Sequence, residues 1–365
     1  MKPGLNNGRR QALRVAMGLG LGLGLGLAAG STLARPGAAL VWRERAMLAF
    51  GTTVWMRAGH ARAAVADAAL DAAVAAVQQV DQQMSLFRPD SAVCRLNREA
   101  VLRQPPADLV ALLRLAQRVA ARSAGSFDVT VQPLWQLWQS THAQGRRPNA
   151  NELRAARRLV GWRGLQVHDG VIRLARPGMG ITLNGIAQGH AADQARQALL
   201  RHGVVDALLD TGEWLALGAA PSTADAEHAA DANQASHANG SAGASRPSAW
   251  RLGVADPHHG GQLLGALVAD GRALACSSDD KLFFSADRRD HHILDPHTGL
   301  SPTQLSTVVV AAPSAALADA LTKPMFMGSA AAALALARRW GVDVLTVDKA
   351  GRIAASPGLY LQHGR

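Results

Sequence analysis

Cysteine is nearly absent: Cys94 and Cys276 are the only two among 365 residues. Two thiols cannot make a disulfide framework, and nothing in the sequence brings them together, so they read best as unpaired small core residues. Lysine is almost as scarce. Lys2, Lys281, Lys323 and Lys349 are the full complement, and the rest of the 38 basic residues are arginine. The chain also lacks a basic stripe interleaved with aromatic residues, which argues against nucleic acid as a partner despite a pI near 11. The net charge of +11 suits an anionic ligand or a solvated surface instead. Long apolar runs are missing too: the Leu/Gly-rich stretch from Val15 to Ala29 is too short and too rich in glycine for a membrane anchor.

That stretch has a different use. Lys2, Arg9, Arg10 and Arg14 form a basic head before it, and Thr32-Leu33-Ala34 places small residues where a signal peptidase cleaves. Residues 1–34 therefore read as an export signal, and the mature chain as periplasmic or exported, soluble after cleavage. Arg9-Arg10-Gln11-Ala12-Leu13 resembles a twin-arginine signal, and an ordinary secretory leader remains the alternative. No cysteine stands at the cleavage point, so a lipoprotein is not expected. Without the leader the 38 basic residues fall by four against 27 acidic ones, taking the net charge from +11 to +7. The mature chain, roughly 330 residues, is long enough to bury a large core.

The mature chain is expected to open with an extended segment from Met47 to Met56. A helix follows from about Ala61 to Gln83, with Val65, Leu70, Val74 and Val77 on its buried face. Pro89-Asp90-Ser91 breaks the chain and caps a short helix, and a further helix runs from Ala107 to Ser123. Leu165 to Leu174 reads as a hairpin around Asp169-Gly170. Val204 to Leu217 is strand-like and carries Asp210-Thr211-Gly212-Glu213. From 219 to 249 no large apolar residue occurs; such a stretch cannot offset its ordering entropy and is expected to be a disordered insertion. Strands resume near Trp250, Leu263, Ala273 and Val308, a helix starts after Pro313-Ser314, and another ends at Gly341.

The segment that organises the rest is Thr182 to Asp193, Thr-Leu-Asn-Gly-Ile-Ala-Gln-Gly-His-Ala-Ala-Asp. Its apolar lead-in Gly180–Leu183 predicts a strand, Gly185 and Gly189 a turn. Ile186, Ala187, Ala191, Ala192, Ala195, Ala198 and Leu199 then recur at helical spacing up to His202-Gly203. A strand, a glycine turn and a helix point free N–H groups and a positive helix end at whatever lies above the turn, which suits a phosphate.

Six motifs in order resemble the ApbE family of FAD:protein FMN transferases. They are Phe50-Gly51-Thr52, Met84 to Asn97, Gly125-Ser126-Phe127-Asp128, Thr182 to Asp193, His292-Ile293-Leu294-Asp295-Pro296-His297-Thr298-Gly299 and Ala318-Asp319-Ala320-Leu321-Thr322-Lys323. The resemblance spans residues 50–323 and implies an α+β fold of mixed sheets packed with helices, with 35–365 as one flavin transferase domain. It implies that FAD is bound with Mg²⁺, and that FMN passes from FAD to a threonine of an exported or membrane-associated redox protein, releasing AMP. A FAD-binding protein or a FAD hydrolase is the alternative. On this reading Phe50 and Phe87 offer flat faces to the rings, with Ser126, Phe127, Asp128 and Ile293 beside them. Thr182 and Gln188 lie at the nucleotide, and His292 takes the threonine proton. The implied metal set is the Gly185 carbonyl, the Asp319 carboxylate and a hydroxyl four residues beyond. That last position is Lys323, which cannot ligate Mg²⁺. Either neighbouring Thr322 supplies the oxygen from a helix distorted by Pro324, or the Lys323 ammonium stands in for part of the metal charge and takes a catalytic place. The family's usual aspartate and lysine are replaced by Thr182 and Gln188; each can still hydrogen-bond a nucleotide, but Gln188 brings no charge to the phosphates.

Overall fold

A computed structural model of the chain describes residues 40–221 and 248–362. The expected leader over 1–34, and all but the ends of the expected insertion over 219–249, lie outside the described residues. Those two ends meet, with the Ala220 N–H donating to the Ser248 carbonyl at 2.8 Å.

The first half of the chain contributes β1 (Val41–Ala49), β2 (Thr52–His60), α1 (Ala63–Met84), α2 (Ala92–Glu99), β3 (Val101–Arg103) and α3 (Ala107–Arg122). Next come α4 (Gln132–Ala143), α5 (Ala150–Arg157), β4 (Leu165–His168), β5 (Val171–Leu174), α6 (Ala187–Arg201), β6 (Asp206–Asp210) and β7 (Trp214–Leu217). The second half adds β8 (Arg251–Ala255), β9 (Leu263–Val268), β10 (Ala273–Ser278), β11 (Leu305–Ala312), α7 (Ala315–Phe326), α8 (Ala330–Trp340), β12 (Asp343–Asp348), β13 (Ile353–Ala355) and β14 (Leu361–Gln362). The architecture is α+β, as the resemblance implies.

Eight strands in the order β1-β2-β6-β7-β10-β11-β12-β13 make the main sheet, every neighbour antiparallel. Its sixth strand, β11, is buried along its whole length because both faces are covered. Val308, Val310 and Ala312 face the helices, while Val309 and Ala311 face the small sheet β14-β9-β8. This is the period-two alternation that a doubly covered strand needs, apolar at every position. A second small sheet, β3-β5-β4, contains the expected hairpin at Asp169-Gly170.

On the helix face, α1 packs against α6 and α6 against α7. The buried side of α1 is Ala66, Ala69, Leu70, Ala73, Val77, Val80 and Met84; Val65 and Val74, expected inside, are only half-buried. The alanine side faces in because α6 presents alanines in turn, at Ala191, Ala192, Ala195 and Ala198. The expected extended segment Met47–Met56 is a hairpin, turned at Phe50-Gly51, where Phe50 itself is left-handed at φ 53°. Neither cysteine is a closed core residue: both are free, Cys94 half-buried and Cys276 exposed.

The start of α7 is held by its neighbour. The Asp193 carboxylate on α6 accepts from the N–H groups of Ala315 and Ala316 at 2.8 and 2.9 Å, satisfying two donors that a helix start leaves open. Asp193→Ala is expected to lower stability by about 1–2 kcal/mol, read as a lower urea midpoint with an unchanged slope. An unchanged midpoint would show that water replaces the cap at no cost.

Candidate functional site

The lead-in Gly180–Leu183, expected as a strand, pairs with no strand among the described residues. One side chain holds it instead: Asn97 donates to the Ile181 carbonyl at 2.8 Å and accepts from the Ile181 N–H at 2.7 Å. A strand-like clamp from a single amide leaves the chain free to turn at once. Thr182 donates its N–H to the Val129 carbonyl at 2.8 Å, and its hydroxyl accepts from the Asn184 N–H at 3.2 Å. Ile186 and Ala187 then both donate to the Leu183 carbonyl, and α6 begins. Their N–H groups are thus spent, but those of Gly185 and Gln188 meet no protein acceptor among the described residues. Fewer donors face outward than the glycine pattern suggests, yet two remain beside the positive helix end.

Across from this turn lies α7. Asp319 is fully buried, and its second carboxylate oxygen lies 3.4 Å from the Gly189 N–H. One helical turn on, the Lys323 ammonium donates to the other carboxylate oxygen of Asp319 at 2.5 Å and to the Asp319 carbonyl at 3.2 Å. The stem of Lys323 lies over Gly185: a Cβ there would stand 2.8 Å from Lys323 Cε. Gly185, Asp319 and Lys323, 138 positions apart at most in the chain, therefore meet at one point. Thr322 does not join them. Its hydroxyl donates to the Asp319 carbonyl at 2.7 Å and pairs with the Ser277 hydroxyl at 2.8 Å, wholly buried between α7 and β10. Nor does Pro324 break the helix, which runs on to Phe326.

Two further groups feel the charges of the cluster. Glu213, in the turn between β6 and β7, is buried and accepts from the Cys276 N–H at 3.0 Å. Burial pushes its carboxyl well above the usual range, the Asp319 charge adds to the rise, and Lys323 opposes it. His292 is half-buried, with Nδ1 3.0 Å from the Leu282 carbonyl. Its pKa falls to about 4, mainly through burial and further through neighbouring His291 and the positive charge of Lys323, against the opposing Leu282 hydrogen bond. A carbonyl only accepts, so Nδ1 carries the proton and Nε2 carries the lone pair.

The ring-side residues are drawn together by Asp81 near the end of α1. It accepts from the Phe50 N–H at 2.8 Å and pairs with Arg88 next to Phe87. The Phe87 ring, 64% exposed, lies on Gly51, where a Cβ would stand 3.0 Å away. Phe127 and Ile293 are core residues, and Ser126 is half-buried. Both oxygens of Asp128 already accept from the protein, and the one bonded to Trp162 keeps one acceptor position open. One accepts from the Thr130 N–H and hydroxyl at 2.8 and 2.7 Å, the other from the Trp162 N–H at 2.8 Å. Gln188 likewise turns inward, donating to the Thr211 carbonyl at 2.8 Å.

Hydrogen bonds wire the motifs to one another. Asn97 joins the second motif to the glycine turn, and Thr182 joins that turn to Val129 beside Asp128. His297 Nε2 lies 3.0 Å from the Ala124 carbonyl, tying the His292–Gly299 motif to Gly125. The roles of Asn97, Glu213 and Ser277 depend on partners far away in the chain. Only Glu213 carried a local signal, as a carboxylate beside a glycine turn between strands.

Mg²⁺ is the metal the resemblance implies, and the donor set does not fit it. Of the three expected oxygens, the Thr322 hydroxyl is committed inside the fold, and an ammonium lies against the Asp319 carboxylate.

Fold and site together define an α+β protein whose glycine turn and helix start face a lysine–carboxylate cluster and a neutral histidine. The model of the ApbE family matches residues 50–346, and the chain belongs to that family. A relative from Treponema pallidum (strain Nichols), named FAD:protein FMN transferase, is 30% identical over 330 residues, covering 86% of this chain and 87% of its own length. One of the same name from Escherichia coli (strain K12) is 25% identical over 283 residues, 74% of each chain. Among solved structures, the Pseudomonas stutzeri flavinyl transferase ApbE in its apo form matches with a TM-score of 0.70 at 25% identity. It covers 87% of this chain and 96% of that one. The ApbE protein of Thermotoga maritima shares the fold, with a TM-score of 0.73 over 87% of this chain and 97% of that one at 24% identity.

Proposed function

We propose that this chain is an FAD:protein FMN transferase, which attaches FMN from FAD to a threonine of a partner redox protein and releases AMP. One observation carries the reading. Gly185, Asp319 and Lys323 are brought together at the start of α6, with His292 near enough to feel the Lys323 charge, in a chain that matches a Treponema pallidum relative of that name over most of both lengths. The chemistry asked of the residues is modest, since phosphoryl transfer needs positioning and charge neutralisation more than covalent help. The Gly185 and Gln188 N–H groups and the Lys323 ammonium face the pyrophosphate. The threonine oxygen attacks the phosphorus on the flavin side, the bond from that phosphorus to the bridging oxygen breaks, and AMP leaves with that oxygen. The threonine proton goes to Nε2 of His292. Mg²⁺ is no part of this proposal, because the donor set does not fit it.

The acceptor is an exported or membrane-associated protein, since the leader over 1–34 directs the chain out of the cytoplasm. N-terminal sequencing of the protein from the periplasmic fraction is expected to begin at Arg35, and an intact Met1 in the cytoplasm would rule export out. For the activity, the mature chain is incubated with FAD and a candidate acceptor domain. A fluorescent flavin band that survives denaturing electrophoresis is the expected result. Thr182, Gln188 and Lys323 all change the phosphate surroundings, which favours FAD hydrolysis or simple FAD binding as the second reading. AMP without a band marks the hydrolase, and FAD that stays intact for hours marks the binding protein.

His292 gives this reading a pH signature. A base must be neutral, and His292 is neutral above about 4, where a free imidazole is half protonated at 6.5. The acid limb of kcat/KM, which reports the free enzyme, is therefore expected near 4. A limb at the ordinary histidine value would mean that another group is the base.

A further inference from the structure

Lys323 stands where a metal-binding hydroxyl is expected, and what surrounds it has the make-up of a cation site. Its ammonium lies on one carboxylate oxygen and one carbonyl oxygen, both of Asp319, which are the hard ligands that a divalent cation takes. An ammonium has three N–H groups. Two are placed on Asp319, and the third has no partner among the described residues. The stem passes over Gly185, with a Cβ there 2.8 Å from Cε and 3.5 Å from Nζ, so the ammonium lies beside Gly185.

Glu213, buried and accepting from the Cys276 N–H at 3.0 Å, lies close enough to feel the charges of both Asp319 and Lys323, so a second carboxyl shares this protected space. A lysine on a solvated helix face would leave Asp319 unpaired and buried, and a buried carboxylate is not left that way. The side-chain type also matters in a chain whose basic residues are nearly all arginine. A compact point charge fits a space meant for one ion, whereas a planar guanidinium does not.

We propose that Lys323 is the resident cation of the nucleotide site: its ammonium occupies the metal position, bridges Asp319 to the pyrophosphate and makes dinucleotide binding independent of Mg²⁺. The identity of the dinucleotide as FAD rests on the transferase reading above. Lysine brings one positive charge where Mg²⁺ brings two, and the helix start with its two open N–H groups makes up part of the difference.

The test is the FAD affinity of the mature chain, by titration calorimetry, with Mg²⁺ and with EDTA. Wild type is expected to hold FAD within about twofold in the two buffers, a change too small for a lost metal ligand. Lys323→Ala is expected to bind about 10- to 100-fold more weakly in both, the worth of a hydrogen bond to a charged group. Lys323→Thr rebuilds the expected hydroxyl, so it should be as weak as Lys323→Ala in EDTA and recover with Mg²⁺. The wild-type comparison needs no variant to fold. Tenfold weaker wild-type binding in EDTA overturns the proposal, as does Lys323→Ala binding at the wild-type level. A wild type that binds no FAD in either buffer overturns the flavin reading itself, which the other outcomes leave standing.

Discussion

Replacing His292 by alanine is expected to slow FMN transfer about 10²- to 10⁴-fold while leaving FAD affinity within about twofold. The size is that of a well-placed general base, and the selectivity follows from the geometry. His292 is tied through both its N–H and its Nδ1 to the single carbonyl of Leu282, at 2.9 and 3.0 Å. The loop that carries it is itself anchored: Lys349 pairs with buried Asp279 at its start, and Arg147 reaches Asp290 near its end at 2.8 Å. The ring is thus aimed by the fold before any ligand arrives, and its loss should remove chemistry and leave binding in place. Initial rates of acceptor labelling, together with calorimetric FAD affinities, check this. A purely structural His292 would instead lower the melting temperature and weaken FAD binding, with little specific loss in kcat.

Gly189→Ala is expected to cost about 3 kcal/mol or more, enough to leave much of the protein unfolded at moderate urea. The reason is the close approach of two backbones. A Cβ at 189 would lie 2.2 Å from the Ala315 carbonyl oxygen and 2.7 Å from the Ala316 nitrogen, and neither atom can rotate away. Separating α6 from α7 would also draw Asp193 off the start of α7 and move Asp319 from the turn. Gly185 is crowded differently, by the flexible stem of Lys323, so the two glycines of the turn serve different ends. A urea midpoint for Gly189→Ala equal to that of wild type would show that the helices slide apart without cost.

Much of this site can be read from the residues, and the parts that cannot share a cause. The helical stripe from Ile186 to Leu199 is buried as its spacing predicts, and Ser91 and Ser314 cap the helices that follow them. These are local signals, set within a few residues. Gly180–Leu183 looks like a strand because it is apolar and extended, yet its partner is the side chain of Asn97, 84 positions away from Ile181. The turn at Phe50 escapes notice because a non-glycine residue holds the left-handed conformation there, supported by Asp81. Thr322 and Lys323 are adjacent in sequence and part ways in space, since a helix turns about 100° per residue. Ser277, on a strand 45 positions earlier, decides which of them faces inward to the sheet. Glu213 enters the cluster only because β7 and β10 are neighbours in the sheet. Chemistry-bearing residue types show in the sequence, but their partners across the fold do not.

The most direct test of the account is the ratio of AMP released to flavin attached, measured by mass spectrometry of an acceptor domain after incubation with the mature chain and FAD. Equal amounts are predicted, with the flavin on one threonine and the yield unchanged in EDTA. AMP release without flavin on the acceptor, in a mixture where the Escherichia coli relative labels that same threonine, would contradict it.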